Sequence, residues 1–158
     1  MPSGFPSGML YALPVQIVQT PTETDILYEY VHAVRHLYTN KNQHPSGHID
    51  FWLGDSRGHW EGDTFVVDVT DFGDQSWFDH SGNFHSDALH VVERYTRVSP
   101  DAMTYEATIE DPKVFTRSWK MRMPLYRRLE KDVKVLEYKC VEFAEELLYG
   151  HLRKQPRN

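Results

Sequence analysis

Short segments rich in β-branched and aromatic residues follow one another along most of the 158-residue chain, and no helical segment separates them. Roughly seven or eight such segments in succession predict a mainly β fold, built as an antiparallel meander. A sheet of this kind removes its exposed edges by closing on itself, and about eight strands enclose room for side chains or one small ligand. We therefore predict a meander closed into a small barrel, with a flattened sandwich as the alternative.

Turn signals separate the predicted strands. These strands are Val15 to Thr20, Asp25 to Val31, Ala33 to Thr39, a short one around Asp50 to Leu53, Thr64 to Val69, Leu89 to Val98, Met103 to Glu110, Arg117 to Leu125 and Val133 to Cys140. The pair Gly62-Asp63 predicts a hairpin turn before Thr64. Apolar residues at helical spacing predict a helix from Val141 to Leu152 that packs on the sheet or plugs one end.

Three parts of the chain follow from this pattern. Residues 1 to 14 contain three Pro and two Gly and predict an irregular arm. Residues 15 to 140 form the β-barrel domain, and residues 141 to 158 form a C-terminal helix and tail. We find no internal repeat.

Charge and composition exclude several classes of partner. A formal net charge of −6 and a pI near 5.8 argue against non-specific binding to nucleic acid or to an anionic membrane surface. No apolar run approaches the roughly 20 residues of a membrane span, and the first residues lack a signal-peptide pattern, so we expect a soluble, cytoplasmic chain. The single cysteine, Cys140, excludes an internal disulfide and predicts a buried apolar group.

Residues 58 to 97 combine two predicted strands with a connection rich in aromatic and titratable side chains. The connection contains Trp77, Phe78, Asp79, His80 and His85. Rings and titratable groups gathered in one loop are typical of a ligand site on a rigid β scaffold. We expect the function to lie in this stretch.

Two histidines in this stretch are candidate general bases. Imidazole titrates near neutral pH, and a carboxylate such as Asp87 beside His85 or His90 would fix its tautomer and raise its basicity. The structural alternative is that His85 and Asp87 only cap a turn. Since His–carboxylate pairs are common in loops without chemistry, both interpretations stay open at this point.

Glu93 and Arg94 complete the candidate catalytic set with His85 and His90. If Val98 lies opposite Met103 in a simple hairpin, His90 and Arg94 point inward, and Glu93 points outward. An inward Arg94 needs an anion, which could be a carboxylate of the chain or a substrate oxyanion. In the alternative, Arg94 pairs outward with Glu106 or Glu110.

Aromatic side chains are the candidate contacts to a small organic ligand. They make up 13% of the chain, which exceeds the needs of an ordinary core and suggests a ring-lined cavity. The candidate substrate-binding residues are Tyr28, Tyr30, Trp52, Trp60, Trp77 and Tyr105. Trp119 is flanked by methionines on its own face and is expected in the core.

The nine histidines do not predict a metal site. His80, His85 and His90 are equally spaced, but a five-residue step reverses the face of a strand. His44 and His48 lie four apart, and no metalloprotease-type motif accompanies any of them. No nucleotide-binding glycine motif occurs either, so we predict neither a metal nor another cofactor.

Several phrases of the sequence resemble a largely uncharacterised bacterial family of small, often secreted β-rich proteins. The phrases are IVQTP, ILYEY, GHWEGDTFVVDVTDF, HSDALHVVERYTR, YEATIEDP and LEYKC, and they cover roughly residues 15 to 140. The resemblance implies a lipocalin-like barrel and an exported or periplasmic origin. Family members carry an upstream Cys-x-Pro-x-Gly phrase, where this chain has Met1, so the resemblance leaves Cys140 without a disulfide partner. It also implies a barrel that is incomplete or closed by another chain.

Two functional classes follow. The first is a cofactor-independent enzyme of lyase, isomerase, cyclase or hydratase type, in which His85 or His90 moves a proton and Arg94 holds an oxyanion in an aromatic-lined barrel cavity. The second is a non-catalytic carrier of lipocalin type. We favour the enzyme because carriers usually line their cavities with aliphatic groups. An incomplete barrel leaves an edge to cover, which makes a homodimer the macromolecular partner to test.

Overall fold

Eight strands form one sheet, in which neighbours in sequence are also neighbours in space. The structure is a computed structural model, and it describes residues 14–40, 43–47, 49–79, 82–137 and 143–152. The strands are β1 (Val15–Gln19), β2 (Glu23–Tyr28), β3 (Val34–Tyr38), β4 (Asp55–Glu61), β5 (Thr64–Thr70), β6 (His90–Ser99), β7 (Ala102–Glu110) and β8 (Trp119–Tyr126). The sheet curls into a half-barrel, which confirms the mainly β prediction.

One connection departs from the predicted antiparallel meander. All neighbouring strands are antiparallel except β3 and β4, which run parallel and meet through the single pair Tyr38 and Arg57. The chain between them contains Pro and Gly and cannot continue as a strand. The short strand predicted around residues 50 to 53 is reduced to one isolated bridge between Phe51 and Phe72.

The predicted β4–β5 hairpin is confirmed. Glu61 pairs with Thr64, and Gly62 adopts a positive φ of 58° in the turn between them. This left-handed conformation is the one that a tight hairpin turn requires and that glycine adopts without steric cost.

The core lies on the inner face of the curled sheet. Alternate residues of β2, β6 and β7 are buried, as expected for a sheet with one face covered, and in β5 Val66 is buried in addition to the alternating inner residues. The most deeply buried apolar side chains, with at most 1% exposure, are Ile26, Leu37, Val67, Val69, Phe72, Val91, Tyr105, Ala107 and Ile109. Trp119, Met121, Met123 and Leu125 of β8 pack against this core, as their spacing predicts.

The predicted register between β6 and β7 is wrong by one residue. Arg97, not Val98, pairs with Met103, and the register shifts between Arg97 and Ser99. This β-bulge leaves Val98 unpaired, and a one-residue slip moves every preceding side chain to the other face. Glu93 therefore points into the core, while Arg94 and its face-mates point outward.

The C-terminal segment also differs from the prediction. Residues 133–137 of the predicted last strand Val133 to Cys140 form no strand, and residues 138–140, with Cys140, lie outside the described residues. Helix α1 (Ala144–Tyr149) covers only part of the predicted helix and is followed by a 3-10 turn at Gly150–Leu152. Its Leu147 and Leu148 are 72% and 62% exposed, so α1 does not pack on the sheet as predicted.

Two further predictions fall on parts of the chain with limited description. Residues 1–13 of the predicted arm, His48 and His80 lie outside the described residues. Within the described ranges, no helix has the length and apolar character needed to cross a bilayer.

Candidate functional site

A buried ion pair lies on the inner face of the half-barrel. The Arg35 guanidinium donates to the Glu93 carboxylate over 2.6 Å, and the two side chains are 2% and 0% exposed. Arg35 Nε and Nη2 also donate to Ser56 Oγ at 3.0 and 2.9 Å. The Tyr95 and Tyr105 hydroxyls donate to Glu93 Oε1 at 3.0 and 2.7 Å. We call these five residues the inner polar cluster.

The pKa values in the inner polar cluster favour the protonated forms of its two tyrosines and its arginine. Burial is the main reason that the pKa values of Tyr95 and Tyr105 lie well above the ordinary tyrosine range, and the adjacent Glu93 charge raises them further. Burial is the largest single effect on Arg35 and lowers its pKa, but Glu93, Tyr28 and Tyr95 together outweigh it and leave this pKa above its usual value. The tyrosines and Arg35 therefore stay protonated at neutral pH. They are suited to orienting hydrogen-bond partners and not to proton transfer.

Aromatic rings extend from the inner polar cluster to the edge of the half-barrel. The ring centroids are 5.1 Å apart for Tyr95 and Tyr105, 6.5 Å for Tyr95 and Phe65, and 5.0 Å for Phe65 and Trp60. Trp60 ends this aromatic row and is 58% exposed, whereas Tyr105 is fully buried. Of the predicted ligand contacts, Trp60 and Tyr105 thus belong to one row, and only Trp60 is open to a ligand.

Tyr28 lies beside the same cluster. Its side chain is buried, and its hydroxyl lies close enough to Arg35 for the guanidinium charge to affect its pKa. No described residue lies in good hydrogen-bonding geometry to this hydroxyl. Burial raises the pKa of Tyr28, and the positive charge of Arg35 partly opposes that rise. The Tyr28 hydroxyl is therefore a polar group available to an interior water or ligand atom.

The other three predicted ligand contacts are dispersed. Tyr30 lies in the 3-10 turn Tyr30–His32 between β2 and β3 and is half-buried. Trp52 lies in the β3–β4 connection and Trp77 in the β5–β6 connection, where they are 48% and 47% exposed. The structure does not bring these three side chains together with Tyr28, Trp60 and Tyr105 into one ring-lined cavity.

A chain of histidines and carboxylates crosses the opposite, outer face. His90 Nε2 donates to Asp68 Oδ2 at 2.9 Å, and His44 Nε2 contacts Asp68 Oδ1 at 2.8 Å. His44 Nδ1 contacts Asp55 Oδ2 at 2.7 Å. Arg57 binds both oxygens of Asp55, with distances of 2.6 and 2.8 Å. We call these five residues the outer histidine network.

The outer histidine network fixes a loop to the sheet. Both ring nitrogens of His44 contact carboxylate oxygens in this arrangement. The imidazole bridges Asp55 on β4 and Asp68 on β5, and it holds residues 43–47 over the strand ends. This contact explains why Asp55, although on the outer face, is only 4% exposed.

His90 is the titratable end of the network. Its hydrogen bond to Asp68 is the main reason that its pKa is raised above the ordinary histidine value, and partial burial opposes this rise. The His90 hydrogen bond likewise lowers the pKa of Asp68. Since His90 is 36% exposed, its imidazole remains within reach of a molecule in solvent. A group of this kind can act as a general acid or base near neutral pH.

The titration of His90 gives a direct prediction. We expect the His90 imidazole to titrate above pH 6.5 in the wild type, and at lower pH in Asp68→Asn, because Asp68 is the main cause of the shift. The folded-state pKa is raised, so the stability due to this pair is complete below the unfolded value. It is lost as pH rises through the folded value. An NMR titration of the imidazole carbon-bound protons measures the midpoint.

A matched control exists on the same outer face. His36 on β3 contacts Asp25 on β2 through Nδ1 at 2.7 Å, and this pair shares no residue with the outer histidine network. Asp25→Asn should therefore leave the His90 midpoint unchanged. An unchanged midpoint in Asp68→Asn would contradict the assignment.

Arg94 also lies on the outer face, four residues along β6 from His90. Its guanidinium donates to Glu61 at 2.8 Å, so Arg94 points outward as in the alternative, but its partner is Glu61 and not Glu106 or Glu110. Arg94 lines a groove of about 200 Å³ together with Thr96, Val98, Thr104, Glu106 and Arg122. Strand geometry places the Cα atoms of His90 and Arg94 about 13 Å apart, a distance that two long side chains can bridge through a small ligand.

His85 is remote from both sites. It is 1% exposed and packs between the rings of Phe72 and Phe78. Its Nδ1 donates to the Ser86 carbonyl at 3.1 Å, and its Nε2 accepts from Ser76 Oγ at 2.9 Å. This environment satisfies both ring nitrogens without exposing either, so His85 orders the β5–β6 connection and does not meet His90.

Two groups of described side chains could hold a divalent ion, one formed by Glu23, Asp25 and His36 on β2 and β3, and one that shares His44 and Asp55 with the outer histidine network. Ligand atoms of His44, Asp55 and Asp71 lie within 4.8 Å of one another. However, both Asp55 oxygens already accept from Arg57, and a guanidinium at this position opposes a second cation. The positive charge of Arg57 thus already balances the Asp55 carboxylate, and this disfavours a metal ion in the second group.

Sequence reasoning missed most partners of these sites. Arg35, Ser56 and Tyr95 were not singled out, because the inner polar cluster joins β3, β4, β6 and β7 across the sheet. Asp68 and Asp55 lie on the outer face of β5 and β4, where acidic residues are ordinary. A correct β6–β7 register would have placed Glu93 inward, which is the one signal that the sequence offered.

No family model, curated protein or solved structure matches the chain.

Proposed function

We propose that the protein is an acid–base enzyme of lyase, isomerase, cyclase or hydratase type that acts on a small organic anion without a cofactor. The observation that carries this proposal is the outer histidine network, in which His90 is partly exposed and its ring is fixed by Asp68. A carboxylate that orients an imidazole and raises its basicity is the usual support of a general base. The site proposed is on the outer face, not in the barrel cavity that the sequence suggested.

The charge of the neighbouring groove supports an anionic substrate. Arg94 and Arg122 contribute two guanidinium groups, and the Glu106 carboxylate in the same groove binds Lys120 at 3.0 Å. Guanidinium groups bind carboxylates with two parallel hydrogen bonds. A substrate carboxylate bound at Arg94 or Arg122 would direct the rest of a small molecule along β6 towards His90.

The proposed step is a proton transfer. The neutral form of His90 takes a proton from carbon next to a carbonyl of the substrate, and the resulting imidazolium returns it to a second position or to a leaving oxygen. Asp68 holds the imidazolium through its hydrogen bond, and His44 and Asp55 hold Asp68 in turn. General acid–base catalysis of this kind contributes about 10²- to 10⁴-fold to a rate.

Hydrogen exchange into deuterated water tests this proposal. We would incubate the protein with a panel of small 2-oxo and 3-hydroxy carboxylic acids and follow loss of carbon-bound protons by NMR. We expect the wild type to accelerate exchange or conversion of at least one acid, and His90→Gln to reduce that rate by about 100-fold or more. His36→Gln removes the comparable surface pair with Asp25 and should retain the rate. Equal rates in wild type and His90→Gln would refute the role of His90.

A carrier function has one observation in its favour. The aromatic row ends in an exposed Trp60 on the inner face, which is a feature of ligand-binding rims. If this alternative holds, an aromatic dye such as anilinonaphthalene sulfonate should bind the wild type and bind Trp60→Ala several-fold more weakly. His90→Gln should leave dye binding unchanged. The acid–base proposal predicts instead that His90→Gln reduces turnover and that Trp60→Ala does not.

A further inference from the structure

Strand β1 has one hydrogen-bonded side and one open side. At its two ends, Pro14 accepts from Glu29 and Thr20 donates to Glu23, so the even-numbered residues form the bonded pairs with β2. In a regular antiparallel ladder the odd-numbered residues then direct their N–H and C=O groups the other way. Val15, Ile17 and Gln19 thus present a row of backbone donors and acceptors along the edge of the half-barrel. No described residue outside β2 forms a backbone hydrogen bond with them.

The side chains of β1 do not protect this edge. The sequence VQIVQ contains no charge, no proline and no bulge, and Ile17 and Val18 are each 39% exposed. Proteins usually protect an edge strand with lysine, proline or a bulge, because an open edge pairs with other strands. β1 has none of these features.

The opposite edge of the sheet has them. Strand β8 carries Lys120, Arg122 and Pro124 within eight residues. Both strands end the same sheet, so the contrast between them is informative. The sequence protects β8 against pairing and leaves β1 open to it.

We propose that β1 pairs with β1 of a second copy of this chain in an antiparallel, two-fold symmetric arrangement centred on Ile17. In this register Ile17 faces Ile17 of the partner copy, and Val15 faces Gln19. The open odd-numbered residues would form about six hydrogen bonds, two for each of three bonded pairs. A second copy fits this edge because a two-fold axis brings β1 against itself, and VQIVQ carries no charge that its own copy would repel.

The pairing also extends the core. Ile17 is opposite Ile26, which is 1% exposed and belongs to the inner face, so Ile17 shares that face. Two Ile17 side chains in contact would continue the apolar inner face from one half-barrel to the next. A five-residue edge is short compared with permanent interfaces, so the dimer is expected to be reversible and concentration-dependent.

Two lysine substitutions test the register. Ile17→Lys places two like charges directly opposite each other across the axis, whereas Val18→Lys places the same charge on the same strand opposite Gln16 of the partner. By light scattering after gel filtration, from about 5 to 500 µM, we expect wild type and Val18→Lys to dimerise with rising concentration. Ile17→Lys should bind at least 10-fold more weakly. A monomeric wild type over this range, or an unweakened Ile17→Lys dimer, would overturn the proposal.

Amide hydrogen exchange of the wild type is a second test, which does not depend on whether Ile17→Lys folds. The Ile17 amide should become at least 10-fold more protected between the lowest and highest concentrations, while the Val18 amide, already bonded to β2, should change little. Protection of Ile17 that is equal at all concentrations would mean that another part of the same chain covers the edge. That result would also overturn the proposal.

Discussion

Replacing Glu93 with glutamine should lower the free energy of unfolding by about 3–5 kcal/mol, the range observed when one partner of a buried ion pair is removed. Glu93 is fully buried, and its carboxylate accepts hydrogen bonds from the Arg35 guanidinium and from the Tyr95 and Tyr105 hydroxyls. Glutamine keeps the size of the side chain but loses the charge. The Arg35 cation would then stay buried but lose the charge of Glu93.

Urea unfolding followed by circular dichroism measures this loss. The matched control is Glu106→Gln, which breaks an exposed pair with Lys120 at 3.0 Å and should cost less than about 1 kcal/mol. The double variant Arg35→Met with Glu93→Leu removes both charges and should recover part of the stability. If Glu93→Gln unfolds at the same urea concentration as Glu106→Gln, the inner polar cluster contributes no more than a surface pair.

The existence of most strands was easier to predict from the sequence than the polar strand β4 or the length of the helix. β-Branched and aromatic runs with turn signals identified seven of the eight strands, because alternation within a strand is a local property of the sequence. Strand β4 was not predicted as a strand, since DSRGHWE is mostly polar and contains a glycine. The helix over residues 141 to 152 was predicted too long, because apolar residues at helical spacing do not by themselves provide a surface to pack on.

The candidate site was harder to predict, for a reason that one residue illustrates. A single bulge at Val98 exchanges the faces of Glu93 and Arg94, so a sequence analysis without this bulge assigns both side chains to the wrong environment. His90 was identified from its residue type, but its partner Asp68 comes from a neighbouring strand 22 residues away. Local sequence reveals which groups can titrate, whereas the register decides which of them meet.

Gly54→Ala should be the second most damaging substitution, at about 2–5 kcal/mol. The first contribution is backbone strain, because Gly54 has a φ of +72° and a Cβ in this region costs about 1–2 kcal/mol. The second is steric, since the added Cβ would lie 2.7 Å from Val69 Cγ1 and 2.8 Å from Phe72 Cε1. Both contacts are in the core, and overpacking there costs about another 1–3 kcal/mol.

Gly62→Ala separates the two contributions. Gly62 has a similar φ of +58°, but an added Cβ would meet nothing within 4 Å, so this variant should show the backbone cost alone. The difference in unfolding free energy between the two variants therefore measures the packing of β4 against Val69 and Phe72. Equal losses of unfolding free energy would show that the core side chains move to accommodate the added Cβ at residue 54.

The same substitution bears on the outer histidine network. Gly54 immediately precedes Asp55, whose carboxylate holds both His44 and Arg57. If the backbone at residue 54 shifts to relieve the contact with Phe72, Asp55 shifts with it, and the change passes through His44 and Asp68 to His90. We therefore expect Gly54→Ala to move the His90 titration midpoint towards the ordinary histidine value while Gly62→Ala leaves it in place. An unmoved midpoint in a destabilised Gly54→Ala would mean that His90 depends on Asp68 alone.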